Sequence, residues 1–355
     1  MPGIGVITNP KAKKNLKRPW IKDALQRIVG DTGKVYETRS IDELPDLAHE
    51  FIENGVEIIG VNGGDGTTHI AMSHFIPIYE KKNKPLPKLL TLRGGTMNTI
   101  ANSIKHKGKG EDILSNVVEK YRAGKELNFI RQPILHVNDN YGFMWGYGVV
   151  GNFLEQYYKG TNLGPWQAVK TAVKLVGSAV FGTATAKQVF QPYESVLEID
   201  GTTLEVPDCT AVMICSIVEV GLGAKIAYRA YEKPGYVHMR ALTVKPYQFV
   251  PWLYHAFRGI RVPHEGFIDE IAKTITIKTK GNPPYTVDGE LYKDTNEFVI
   301  SQGPVMDVIR EGKKKIRKHI GLPEGWDNPA LPSESGINSP GERLGGSETE
   351  RVITL

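Results

Sequence analysis

Cysteine is almost missing from the 355 residues: only Cys209 and Cys215 occur, both in the apolar run CTAVMIC. That excludes a disulfide framework and a cysteine-based zinc site, and predicts two small reduced core residues. Long hydrophobic runs are missing too. No stretch reaches the roughly 18 apolar residues that a spanning helix requires. The opening MPGIGVITNPKAKK lacks the basic start and extended apolar core of a secretory leader, so a cytosolic location is predicted. Charge of one sign does not dominate. Lys and Arg number 44 against 39 Asp and Glu, a net +5, which gives only a modest attraction to anions. The basic runs KHKGKG and KKKIRKH are not interleaved with aromatics, so nucleic acid is not an expected partner. Neither GxxxxGK[ST] nor GxGxxG is present, which excludes the two commonest nucleotide fingerprints, and there is no internal repeat.

What is present describes an ordinary globular chain, 40% hydrophobic and 23% charged, and long enough for two domains. Over the first hundred residues apolar strand-like runs (Ile4–Ile7, Val35–Thr38, Val56–Val61, Leu89–Leu92) alternate with helical spacing at Trp20–Val29 and Ile41–Glu53. That rhythm predicts an α/β domain with a parallel sheet and crossover helices, residues 1–132. From Pro133 the pattern becomes two-residue alternation, as in ESVLEIDGTTLEVP and KTITIKTK. A mostly-β sandwich is predicted for 133–304, interrupted by helices at Pro165–Phe181 and Pro246–Phe257. A basic segment, 305–322, is expected to return to the first domain. Residues 323–355, rich in Pro, Gly, Ser and Glu, are expected to be a disordered tail.

The chemistry gathers where strands end. GVNGGDGTTHIA, residues 60–71, sets Asn62, Gly63, Gly64, Asp65, Gly66 and Thr67 between a strand and a helix. Glycines there let backbone N–H groups approach a phosphate at a helix N-terminus. A carboxylate in such a place repels phosphate unless it holds a cation or takes a proton from an attacking hydroxyl; the plainer reading of Asp65 is a helix N-cap. A second loop, RGGTMNTIANSI at 93–104, repeats the device with Gly94, Gly95, Thr96 and Asn98, and TNPK at 8–11 follows the first strand. In open α/β sheets, ligands sit at such strand ends.

NGGDGT, followed by GGTMNTIANS and, late in the chain, by VDGE at 287–290, resembles the catalytic domain of diacylglycerol kinases, sphingosine and ceramide kinases and bacterial lipid kinases, over residues 3 to about 310. GGDGT alone also occurs in NAD kinases. The resemblance implies an NAD kinase-like nucleotide-binding domain joined to a β-sandwich that carries a lipid pocket. It implies an ATP-dependent, Mg²⁺-using transfer of the γ-phosphoryl group to a lipid hydroxyl. By the same resemblance Thr8, Asn9, Lys11, Asn62, Gly63, Gly64, Gly66, Thr67, Gly95, Thr96 and Asn98 would bind the nucleotide. Asp65, Asp288 and Glu290 would be catalytic, with Asp65 favoured as the base and Asp288 and Glu290 near the metal.

The chain departs from the diacylglycerol kinase pattern at His69 and Ile70, at Thr99, and at Asn152, near which Glu155 is a candidate substitute. These departures leave a sphingoid or ceramide-type acceptor open beside diacylglycerol. The alternatives are an NAD kinase and a catalytically silent lipid-binding module. His69 reads as a packing or capping residue before a catalytic one. Trp166, Val169, Val173, Val176 and Val180 share one helical face, and YQFVPWLYHAFRGIRVP pairs aromatics with Arg258 and Arg261; each is either core or a contact with lipid. Expected partners are therefore a lipid substrate and an anionic membrane surface touched peripherally. A homodimer stays open.

Overall fold

The computed structural model describes residues 3–160 and 164–310; the basic run at 313–319 and the tail at 323–355 lie outside the described residues. The first part runs β1 (Ile4–Thr8), α1 (Lys13–Leu16), α2 (Ile21–Val29), β2 (Gly33–Glu37), α3 (Leu44–Glu53), β3 (Ile58–Asn62), α4 (Asp65–Lys81), β4 (Lys88–Thr91), α5 (Thr99–Ser103) and α6 (Gly110–Arg122). It continues through β5 (Phe129–Val137), β6 (Asn140–Gly142), β7 (Met144–Gly148), α7 (Val149–Tyr158), α8 (Pro165–Phe181), α9 (Ala184–Val189), β8 (Tyr193–Ile199), β9 (Thr202–Cys209), β10 (Ala211–Cys215) and β11 (Val237–Leu242). Then come α10 (Pro246–Phe249), α11 (Leu253–Arg258), β12 (Phe267–Ala272), β13 (Thr274–Thr279), β14 (Tyr285–Val287), β15 (Glu290–Tyr292) and β16 (Glu297–Ile309).

Strands β1 to β4 pair in parallel, in the order β2-β1-β3-β4. The central β1 and β3, buried on both faces, read as near-continuous apolar runs. Alternation along each strand splits their side chains between two cores: Ile4, Val6 and Ile58 pack with Leu25 of α2 and Leu114 of α6, while Ile7, Ile59 and Val61 pack with Phe51 of α3 and Phe75 of α4.

The α/β sheet and the second, antiparallel sheet (β12-β11-β10-β7-β14-β15) match the predicted fold class, but the sheets are not divided as two separate halves. A single ten-stranded sheet continues from β4 through β16 to β13, β8 and β9. β16 achieves this by its length. Its C-terminal end pairs in parallel with β4 at Val308, and its N-terminal end pairs antiparallel with β13. A register shift between Gln302 and Val305 bends its ladder with β5, the usual effect of a bulge. Position 304 thus falls inside a strand. Between this extension and the second sheet lies an aromatic core, with Phe298 of β16 4.8 Å from both the Trp145 and the Tyr285 rings. Burial of each such side chain contributes on the order of 2 kcal/mol, so the extension and the second sheet are packed face to face.

Candidate active site

The carboxyl ends of β1, β3 and β4 meet in a polar lattice. Asn62 donates to Thr8 Oγ1 (2.9 Å), Asn9 Nδ2 donates to Thr67 Oγ1 (3.0 Å), and Asn15 Nδ2 donates to the carbonyls of Asn9 and Asn62. The two glycine loops lie backbone to backbone. Gly95 N–H donates to the Gly63 carbonyl at 2.7 Å, and a Cβ on Gly95 would stand 2.2 Å from the Gly64 Cα. No other residue fits there, which explains the paired glycines.

Asp65 is the first residue of α4, whose N-cap is Gly64. Its carboxylate instead caps a different helix: Oδ2 accepts from Thr99 N–H (2.8 Å) and Oδ1 from Ile100 N–H (3.1 Å), the first two residues of α5. The chain reaches that geometry through Asn98, held left-handed at φ 50° with its amide on the Gly95 carbonyl. Asp65 therefore ties the first glycine loop to the second.

The DGE element is a two-residue hairpin. Val287 pairs with Glu290, and Asp288 and Gly289 have φ of 48° and 93°, the type I′ turn that Asp-Gly favours. The turn aims Asp288 inward, where its carboxylate accepts from the N–H groups of Phe143 and Met144 at 2.9–3.0 Å. Glu290 extends over the first turn of α4, so near that a Cβ on Gly66 would meet its Oε1 at 1.9 Å. Among the described residues its carboxylate makes no hydrogen bond, and none of the three acids forms a salt bridge.

Asp288 is buried, Asp65 half-buried and Glu290 exposed at the start of β15, and desolvation by the surrounding protein pushes all three carboxyls upward. Asp288 is raised furthest above its ordinary value because the nearby Asp65 charge adds to desolvation; for Asp65 the Thr99 and Ile100 N–H groups oppose the rise. Tyr158, which donates to the Gly289 carbonyl at 2.7 Å, is pushed up to about 12 by burial and then by Glu290.

One cavity of about 660 Å³ runs from this polar end into an apolar chamber. Asn9, Lys11, Gly64, Asp65, Gly66, Thr67, Gly95, Thr96, Asp288 and Glu290 line its polar end. Thr8, Asn62, Gly63 and Asn98 are not on its wall; all four are buried behind it as the lattice that holds the loops. The chamber is walled by α7 (Phe153, Tyr157), α8 (Leu175, Val176), Phe190, Met213 and Phe249.

Several residues sit other than expected. Of the five spaced residues on α8, only Val176 faces the chamber; Trp166, Val169, Val173 and Val180 point outward and are exposed. Spacing identifies a shared face but not its direction. Asn152 is buried with its amide on the Val189 carbonyl, and Glu155 pairs with Lys293, so neither is on the cavity wall. Tyr292 was missed by the sequence reading. His69 Nδ1 lies 2.7 Å from the Tyr141 carbonyl, which only accepts, so Nδ1 carries the proton and Nε2 accepts from Tyr292 Oη at 2.8 Å. His69 is thus a buried tie between α4 and the hairpin that bears Asp288 and Glu290.

Residues 3–126 match the family model of the diacylglycerol kinase catalytic domain. Three solved chains from Bacillus anthracis str. Sterne share the fold. One is a diacylglycerol kinase, 16% identical, covering 87% of this chain and 96% of its own, with a TM-score of 0.59. Two more, described as candidate diacylglycerol kinases, are 16% and 15% identical with TM-scores of 0.65 and 0.64, each again covering 87% of this chain and 96% and 97% of their own. No curated protein matches the chain. The likeness to these chains is one of fold, an α/β sheet joined to a second antiparallel sheet, and the match to the diacylglycerol kinase catalytic-domain model is confined to the first part of the chain.

Proposed function

We propose that this protein is an ATP-dependent lipid kinase that transfers the γ-phosphoryl group to a lipid hydroxyl. The observation that carries the reading is the continuity of the cavity, which joins glycine loops and three acids to a chamber walled by Phe, Tyr, Leu, Val and Met. A soluble dinucleotide acceptor has no use for such a chamber; an acyl or sphingoid chain does.

Lys11 and the backbone of Gly64, Gly66 and Gly95 line the polar end, where N–H groups at the start of α4 favour phosphate. Three acids beside a triphosphate call for a cation. Among the described residues no group of three metal-binding side chains forms a closed cage, but Mg²⁺ in kinases needs only one or two carboxylates besides phosphate oxygens and water. Glu290, with its uncommitted oxygens, and Asp288 beside it fit that role. When bound, Mg²⁺ would neutralise charge on the phosphates. The acceptor hydroxyl loses its proton to Asp65, whose proton affinity desolvation raises. Its oxygen bonds to the γ-phosphorus as the bond from phosphorus to the bridging oxygen breaks, and that electron pair leaves on ADP. Catalysis here is positioning and charge management.

The test is transfer from γ-labelled ATP to detergent-dispersed diacylglycerol, monoacylglycerol, sphingosine and ceramide, with NAD in parallel, for wild type and Asp65→Asn. Label on a lipid from wild type alone supports the proposal and names the acceptor. Label on NAD makes the protein a dinucleotide kinase, and label on nothing makes it a silent lipid binder; either result overturns the proposal.

A further inference from the structure

Helix α8 is apolar on two opposite faces. Ala168, Ala172, Leu175, Val176 and Ala179 form the chamber wall. The opposite stripe, at spacings of three and four, is Trp166, Val169, Lys170, Val173, Lys174, Val180 and Phe181, with Trp166 86% and Phe181 83% exposed. Gly177 lies on that side, and a Cβ there would meet nothing. A helix on a water-facing surface ordinarily turns charged residues outward; this one offers a tryptophan, a phenylalanine and three valines with two lysines. Its neighbour α10 packs against it, and the adjoining α11 adds exposed Tyr254 and Phe257.

The segments that carry this stripe are basic in sequence. Residues 156–193 contain four lysines and no Asp or Glu, and residues 233–264 contain Lys233, Lys245, Arg258 and Arg261, again without an acid, besides Arg240, which is buried in an ion pair with Asp269. The chain as a whole carries 39 acids, so their absence from both windows is local. We infer that the outer face of α8 is a docking surface for an anionic lipid bilayer, entered by Trp166 and Phe181 and held by Lys170 and Lys174. Apolar groups flanked by Lys and Arg are the composition of an interfacial helix. The same helix then separates bilayer from chamber by its own thickness, so that an acceptor passes between them along α8. That last step rests on the lipid kinase reading; the docking face does not.

The full chain should sediment with vesicles of phosphatidylcholine mixed with phosphatidylglycerol, more weakly with phosphatidylcholine alone, and less as salt rises. The double variant Trp166→Glu/Phe181→Glu should bind the mixed vesicles about tenfold more weakly or worse, while its urea midpoint and its activity on a short-chain acceptor below the micelle concentration stay as in wild type. Quenching of tryptophan emission by brominated lipids should fall in Trp166→Phe. Unchanged vesicle binding by the double variant overturns the inference, and so does a dimer in light scattering that the variant abolishes, because the stripe would then belong to a second copy of the chain. Vesicle binding without phosphoryl transfer to any lipid would sink the kinase reading and leave the docking face standing.

Discussion

Replacing His69 by Gln tests whether the tie between α4 and the β14–β15 hairpin is a neutral imidazole. Burial, opposed by the Tyr141 carbonyl, lowers the His69 pKa from 6.5 to about 4. A buried base with a depressed pKa binds fewer protons folded than unfolded, so its contribution is complete above pH 6.5 and is lost as pH falls toward 4. With those two pKa values the loss is about 2 kcal/mol by pH 5 and about 3 kcal/mol by pH 4. At pH 7.5 the variant should be the less stable protein by about 1–3 kcal/mol, because the Tyr292 hydroxyl and the Tyr141 carbonyl lose a well-placed partner. Acidification should close that gap, since Gln does not titrate; His106, also depressed to about 4, and the acids of the site are common to both proteins and cancel. Urea unfolding of wild type and variant from pH 7.5 to 4 is the assay. Two stability curves that run parallel across that range would refute the reasoning.

Three further outcomes follow from the site. Gly95→Ala places a methyl group 2.2 Å from the Gly64 Cα; forcing the loops apart should cost about 1–3 kcal/mol and weaken binding of a fluorescent ATP analogue by about tenfold or more. Gly66→Ala collides instead with the Glu290 side chain, so turnover should fall by about a hundredfold and need more Mg²⁺ to recover, with the urea midpoint close to wild type. Wild-type kcat/KM should rise with pH through the raised titration of Asp65 and fall on the acid side, since the base must be ionised; Asp288→Asn should retain that acid limb if Asp65 is the base and abolish turnover if Asp288 is.

The parallel half of the fold was legible because its signals are local. Each apolar run ends in a polar or glycine-rich loop, and the two-core split of Ile4, Val6 and Ile7 follows from strand alternation alone. Val-Asp-Gly-Glu was legible as a family element, while its type I′ hairpin is what the structure adds. What escaped was non-local. Nothing in EFVISQGPVMDVI says that its two ends pair with strands from different halves of the chain, because partner choice for a strand is made by tertiary packing. The cap that Asp65 places on α5 joins residues 34 apart through backbone N–H groups, which leave no trace in residue identity. The direction of the Trp166 stripe was hidden for a related reason: a two-faced apolar helix has the same periodicity whichever face is buried.

These non-local features explain why the acids are where they are. Asp65 comes from the parallel sheet and Asp288 and Glu290 from the second sheet, so the site exists only if the two sheets keep one geometry. β16 supplies that geometry from behind by pairing into both halves of the large sheet, and Phe298 seats it against Trp145 and Tyr285. His69 supplies it from the front through Tyr292. Bringing two like-charged carboxylates together costs free energy, and a hinge between the halves would relieve that cost by opening. The continuous sheet and the His69 tie block the relief, which holds the Asp288 carboxyl well above its ordinary pKa.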